Sequence, residues 1–331
     1  RRDGRNLITQ WQRQHPQGIY VWNTTQLKNL TSAFSGSVPS HVLALFEPSH
    51  MRYEHERMQD IAGEPSLAEM TEVAIRLLNR NSDGYFLVVE GGRIDPALHS
   101  GNAYRALDET ISFAAAVQVA VDLTSQEDTL LIVTADHSHT LNFSGYPQRG
   151  NPILGLTRNA ASEDDEKKPH TDLLVDALGL PYTTLGFANG PGYTGASEQQ
   201  PEGSKWYPHK GKVYQAIKQG RPDLSKTDTQ HPDYLQEASV PMLPETHAGE
   251  DVLIFAHGPG AAAFHGELEQ NVIFHLMVQL NPAMRTTLCS LDICNTDGIP
   301  INLPDYSLFK QRYFSGSVAK SGNRPEVGSV I

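Results

Sequence analysis

The sequence predicts an α/β fold: a largely parallel central sheet flanked by helices, with a loop-rich insertion. Short apolar runs alternate along the first half of the chain with segments of helical periodicity, the pattern of strand–helix–strand units with parallel strands. Two of those runs, at 85–89 and 129–134, lead straight into clusters of metal-ligating residue types. In an open sheet, reactive groups gather where strands end and the chain turns.

Each element follows from its own pattern. Residues 5–30 read as a helix through Leu7, Ile8 and Trp11, then a short strand at 19–22. The apolar run 42–46, ending at Glu47-Pro48, reads as a buried strand. Over 67–80, Leu67, Met70, Val73, Ala74, Leu77 and Leu78 fall at helical spacing, with Ser66 as the cap. The run 85–89 is the next strand, and 102–123 a long amphipathic helix through Leu107, Ile111, Ala114, Ala115, Val117 and Val121. A further strand is expected at 129–134. Residues 1–144 thus form an α/β core, and 145–246, rich in Gly, Pro, Tyr and charge, read as a surface insertion. Residues 247–331 return to the core through the run 252–256 and a helix over 264–280, which Asn281-Pro282 ends.

Bulk properties narrow the function. A chain of 331 residues can bury a substantial core. Its net charge of −12 argues against nucleic-acid binding, which needs clustered Lys and Arg, while leaving room for a small phosphate compound held through cations. No apolar run approaches the roughly 20 residues that span a bilayer. Neither end carries a secretory or lipid-anchor signal, so the expectation is a processed form or one that never had them. Cys289 and Cys294 are the only cysteines and suit a short disulfide loop outside the cell, with two reduced thiols as the alternative. Acceptor sequons stand at Asn23, Asn29 and Asn142.

The chemistry concentrates in two stretches. Val88-Val89-Glu90-Gly91-Gly92-Arg93-Ile94-Asp95 ends an apolar run in a carboxylate, turns on two glycines, and presents Asp95 and His99 four positions apart. The glycines let the chain turn without a Cβ clash, keeping Asp95 and His99 close to Glu90. Thr134-Ala135-Asp136-His137-Ser138-His139 repeats the arrangement. Singly, Asp95 could cap a turn and His99 be solvated; two such clusters at corresponding places favour a multi-metal hydrolytic centre. His139 stands open as a ligand, a partner orienting a ligand, or polar surface. His247 alone would be an ordinary loop histidine.

Taken together, these motifs resemble the alkaline phosphatases, most closely the animal-type branch. Asp3-Gly4-Arg5-Asn6-Leu7, Tyr20-Val21-Trp22-Asn23, Leu45-Phe46-Glu47-Pro48, Val89-Glu90-Gly91-Gly92-Arg93-Ile94-Asp95, Val133-Thr134-Ala135-Asp136-His137-Ser138-His139 and Glu245-Thr246-His247-Ala248-Gly249-Glu250-Asp251 carry the likeness, in the family's order, to about residue 280. The resemblance implies hydrolysis of phosphate monoesters by two zinc ions and one magnesium ion through a phosphoserine intermediate. It implies Asp95, His99 and His247 on one zinc, Asp136 and His137 on the other, Glu90 on magnesium, and His139 orienting a ligand. Phe46, through its carbonyl, Glu47 and Glu64 would form a peripheral calcium site. It further implies a crown within 145–246, a homodimer, and an extracellular, cell-surface or, in a bacterium, periplasmic location.

The family's nucleophilic serine and phosphate-gripping arginine have no counterpart here, and nothing marks Ser138 as a substitute. The chain therefore reads as a carboxyl-terminal portion whose partner is the amino-terminal segment of the same enzyme. A non-catalytic metal-binding fragment or assembly partner is one rival; another metallo-hydrolase of the superfamily, such as a phosphodiesterase, is the second.

Overall fold

The computed structural model describes residues 2–32, 39–159, 173–193 and 221–291. In chain order its first elements are α1 (Leu7–Gln14), β1 (Ile19–Val21), α2 (Thr24–Ser32), β2 (Val42–Ala44), α3 (Glu54–Arg57), α4 (Leu67–Leu78), α5 (Ile94–His99) and α6 (Ala103–Leu123). There follow β3 (Leu131–Thr134), β4 (Ser138–His139), β5 (Leu141–Phe143), β6 (Leu185–Gly190), β7 (Ala238–Pro241), β8 (His247–Ala248), β9 (Ile254–His257), a 3-10 turn (Ala261–Phe264), α7 (Gln270–Leu280) and α8 (Pro282–Ser290). Two compact units result: residues 1–125 with 135–253, and residues 126–134 with 254–331.

In the first unit, local chemistry sets the helix ends. Asn6 caps α1 by accepting from the Thr9 amide. Ser66 and Glu69 form a reciprocal capping box at α4, satisfying two amides that the helix start leaves without partners. Asn102 caps α6 and also donates to the Pro232 carbonyl, tying the helix start to a distant loop. Val21, Leu27, Leu30 and Val73 form one core, with Phe46, Met70 and Leu77 packed on it. Each such side chain contributes about 1.5–3 kcal/mol when fully buried. A smaller cluster of Tyr53, Ala97 and Ala106 seats α5, which packs against α6.

The second unit is simpler. Strands β3 and β9 pair antiparallel, and Leu130, Ile132, Ile254 and Ala256 pack against Phe264, Val272 and Leu276. Helix α7 ends at Leu280; Asn281 then caps α8, with Pro282 in its first turn. The expected bridge involves Cys294, which lies outside the described residues.

Helices and strands are both present, as an α/β fold requires, but the described residues form no largely parallel central sheet. β1 pairs with β2 and β6 with β7 in parallel; β3 with β9, β4 with β8 and β5 with β6 are antiparallel. Part of the reason lies at 85–89, where the expected strand joins no ladder, although half-buried and exposed side chains alternate along it. Residues 86–90 make no backbone hydrogen bond with the described residues, and Phe86 and Val88 are 55 % and 74 % exposed. The glycines after it also act differently from expectation. Neither needs a positive φ. A Cβ on Gly91 would instead come within 3.0–3.3 Å of Ile94 and Phe113, so the position is small because α6 lies against it.

Candidate metal centre

Helix α5 brings Asp95 and His99 to one face, because residues four apart on a helix lie one turn above each other. Its start is held by the Arg93 guanidinium, 3.8 Å from the centroid of the Tyr53 ring. Arg105 buttresses the same ring from 5.0 Å while pairing with Glu56 and Asp233 at 2.9 and 2.8 Å. The other half of the site comes from the antiparallel pair β4 and β8, in which His139 lies directly opposite His247. Opposed residues share a sheet face, so both imidazoles project to the same side.

These elements converge on one oxygen. Asp95 Oδ1 lies 2.9 Å from His139 Nε2, 3.4 Å from His99 Nε2, 3.4 Å from His247 Nε2 and 3.8 Å from His137 Nε2. His99 and His247 bring their Nε2 atoms to 3.1 Å of each other. The His137 ring stacks on His247 with centroids 3.5 Å apart, and its Nε2 is 3.3 Å from the exposed carboxylate of Asp136. Asp95, His99, His139 and His247 form a group whose ligand atoms all lie within 4.8 Å; among the described residues no other group of three acids, histidines or cysteines does so.

Asp95, His99 and His247 fit a cation well. A tetrahedral ion with ligand bonds of roughly 2.0–2.1 Å separates neighbouring ligand atoms by about 3.4 Å. The three donors stand 3.1–3.4 Å apart. Nitrogen and carboxylate oxygen are also the donor types zinc takes.

Beneath the cluster lies Glu245, fully buried, whose importance as a site residue sequence reasoning missed. Its Oε2 accepts from His139 Nδ1 at 2.7 Å, its Oε1 from the Thr140 amide and hydroxyl at 2.6 and 2.7 Å, and its carbonyl from His99 Nδ1. Burial alone would lower the pKa of His139, but Glu245 and then Asp95, bonded to its two nitrogens, outweigh that and hold it above the ordinary value. The available signal was position: Glu245 stands two residues before His247, where an extended chain returns to the same face.

The remaining expected residues lie apart from this group. Glu90 is exposed, and its carboxylate folds back beside Gly92 without a hydrogen bond or ion pair to the described residues. Glu64 is buried, and both its oxygens accept from the Arg52 amide at 3.1–3.2 Å. Burial pushes its pKa up against that bond, and the nearby charges of Glu47 and Asp60 push the same way. Phe46 packs on the first core with Glu47 next to it in sequence.

Comparison with known proteins agrees with this chemistry. The alkaline phosphatase family profile matches residues 1–282. The chain belongs to the alkaline phosphatase family. It is 40% identical over 280 residues to the tissue-nonspecific alkaline phosphatase of Rattus norvegicus, covering 84% of this chain and 46% of that protein. With the alkaline phosphatase of Gadus morhua it shares 39% identity over 279 residues, 84% of this chain and 50% of the relative. The chain thus spans about half the length of the curated relatives it matches. Among solved structures, a TAB5 alkaline phosphatase variant with magnesium in its M3 site superposes with a TM-score of 0.48 at 18% identity, over 85% of this chain and 56% of that one.

Proposed function

We propose that this member of the alkaline phosphatase family supplies the metal-binding portion of a phosphomonoesterase site. The observation that carries the reading is the spacing of Asp95 Oδ1, His99 Nε2 and His247 Nε2, which suits a single zinc ion. Asp136 and His137 would hold a second zinc, Glu90 a magnesium ion, and Phe46, Glu47 and Glu64 a calcium ion. Such ions supply positive charge against the oxygens of a phosphoryl group in transfer and lower the pKa of an attacking hydroxyl.

The chain's own residues do the positioning. Asp95 and His99 are held a turn apart on α5, His247 is fixed by its pairing with β4, and His139 holds the Asp95 carboxylate in place by a hydrogen bond. In this reading the nucleophilic hydroxyl and the phosphate-binding cation come from the amino-terminal segment of the same enzyme. The run 86–90, whose backbone makes no hydrogen bond with the described residues, supports that partner: it ends at Glu90 and could pair with a further strand, which would complete a largely parallel sheet. An open apolar groove of about 420 Å³, lined by Leu27, Val42, Leu45, Phe46 and Met70 among others, offers further surface for it. Residues 145–246 would carry the crown and serve a homodimer. The sequons and the cysteine pair favour an extracellular or cell-surface location, and among the described residues no helix is long and apolar enough to cross a membrane.

Hydrolysis of p-nitrophenyl phosphate tests the reading. The 331-residue chain alone should turn over poorly, and addition of the amino-terminal segment of a relative should restore zinc-dependent activity that a chelator removes. High turnover by the lone chain, or none by the reconstituted pair despite bound zinc, would overturn it.

A further inference from the structure

We infer that Glu245 is a positioning residue that sets the orientation of two imidazoles at once, His139 through its side chain and His99 through its main chain. The inference rests on the reading of Asp95, His99 and His247 as zinc-holding residues, and adds a residue lying outside that set.

The geometry is one of shared anchorage. An imidazole pinned at Nδ1 has its plane fixed and its Nε2 aimed away from the anchor. His99 and His139 sit on different elements, 40 residues apart, yet both bring Nδ1 to Glu245 and Nε2 to Asp95 Oδ1. Their rings stand almost perpendicular, at 77° with centroids 4.9 Å apart, so neither could serve as the other's support. The main chains of His99 and Glu245 are locked together as well: the Glu245 amide donates to the His99 carbonyl at 2.8 Å, reciprocating the bond from the His99 ring.

A buried carboxylate is costly unless fully hydrogen-bonded. Glu245 meets that condition by dividing its oxygens between two tasks. Oε1 takes both donors of Thr140, and Oε2 is left for the His139 ring. Were the carboxylate only a means of satisfying the backbone at Thr140, one oxygen would suffice and Oε2 would not need to face an imidazole. The division also separates the two roles experimentally, because the Thr140 hydroxyl can be removed without touching either ring.

Zinc affinity, measured by competition with a chromophoric chelator, and the visible absorption of the cobalt(II)-substituted protein give readouts independent of turnover. Glu245→Ala should lower zinc affinity by about 10–100-fold, the range for losing a residue that orients a ligand, and alter the cobalt spectrum. Glu245→Asp keeps the charge but withdraws it by about 1.5 Å, and should weaken zinc in the same direction if the alanine variant does not fold. Thr140→Val, which takes away another donor to the same carboxylate, should lower the melting temperature while leaving zinc affinity within about threefold and the cobalt spectrum unchanged. Wild-type zinc affinity and spectrum in a folded Glu245→Asp or Glu245→Ala protein would overturn the inference. So would an equal loss in Thr140→Val, which would reduce Glu245 to a structural acid. If the wild-type chain itself binds no zinc, the failure belongs to the underlying reading of Asp95, His99 and His247.

Discussion

Glu109 on α6 shows how an acid away from the centre shapes the pH response of the fold. It is only 9 % exposed and accepts from the Glu54 amide at 2.6 Å. Burial pushes its pKa up, and the Glu54 amide and Arg93 oppose that only in part. A carboxyl raised in the fold disfavours the folded state once pH climbs past its ordinary unfolded value, about 4.3, and the full cost is reached above the raised value. Glu109→Gln should therefore increase the melting temperature at pH 7.5 by roughly 1–3 °C and leave it unchanged near pH 3.5. A variant that melts lower than wild type at pH 7.5 would refute the sign. Glu109 gave no hint of this in the sequence, where it is one acid among 38 Asp and Glu. Glu245 was hidden in the same way. Asp95, His99, Asp136, His137 and His247 stood out in the sequence as ligand types beside turn residues within recognisable motifs, and Asp95, His99 and His247 lie together in the structure, whereas a buried supporting acid differs from a solvated one only in its burial.

At the scale of elements, periodicity served where an element is long enough to display it. Helices α4 and α6 lie within about two residues of their expected bounds, and Ser66 caps α4 as anticipated. Ser66→Ala removes one half of the capping box and should cost about 1 kcal/mol, read as a fall in melting temperature of roughly 2–4 °C; no fall would show the box to be idle. Helix α5, which carries two of the central donors, was not visible as a helix. It has six residues with Pro96 among them, too few for a repeating apolar face. Helices α2 and α3 were missed for the same reason of length and polarity, α3 being the four residues Glu54–Arg57. The run 85–89 failed in the opposite sense. Its composition reads as a strand, yet none is assigned there, because a run joins a sheet only when a partner meets its backbone groups, and that depends on residues elsewhere.

Within the whole molecule, the run 86–90 is a segment whose backbone makes no hydrogen bond with the other described residues. The amides of residues 86–90 should exchange with solvent deuterium nearly unprotected in the chain alone and become protected by 100-fold or more when the amino-terminal segment of a relative is bound. Protection in the isolated chain, or none in the complex, would contradict strand addition at this site. The α/β class was readable from the alternation of runs; the directions of the strands were not, because pairing such as β3 with β9 joins residues more than 100 positions apart.

The ladder between β4 and β8 is only two residues long, yet it decides on which side His247 stands. Side chains alternate across a strand, so a slip of one position would send that ring to the opposite surface and a slip of two would bring it back displaced. The centre is thus sensitive to parity: gain or loss of a single residue between Glu245 and His247 should abolish it.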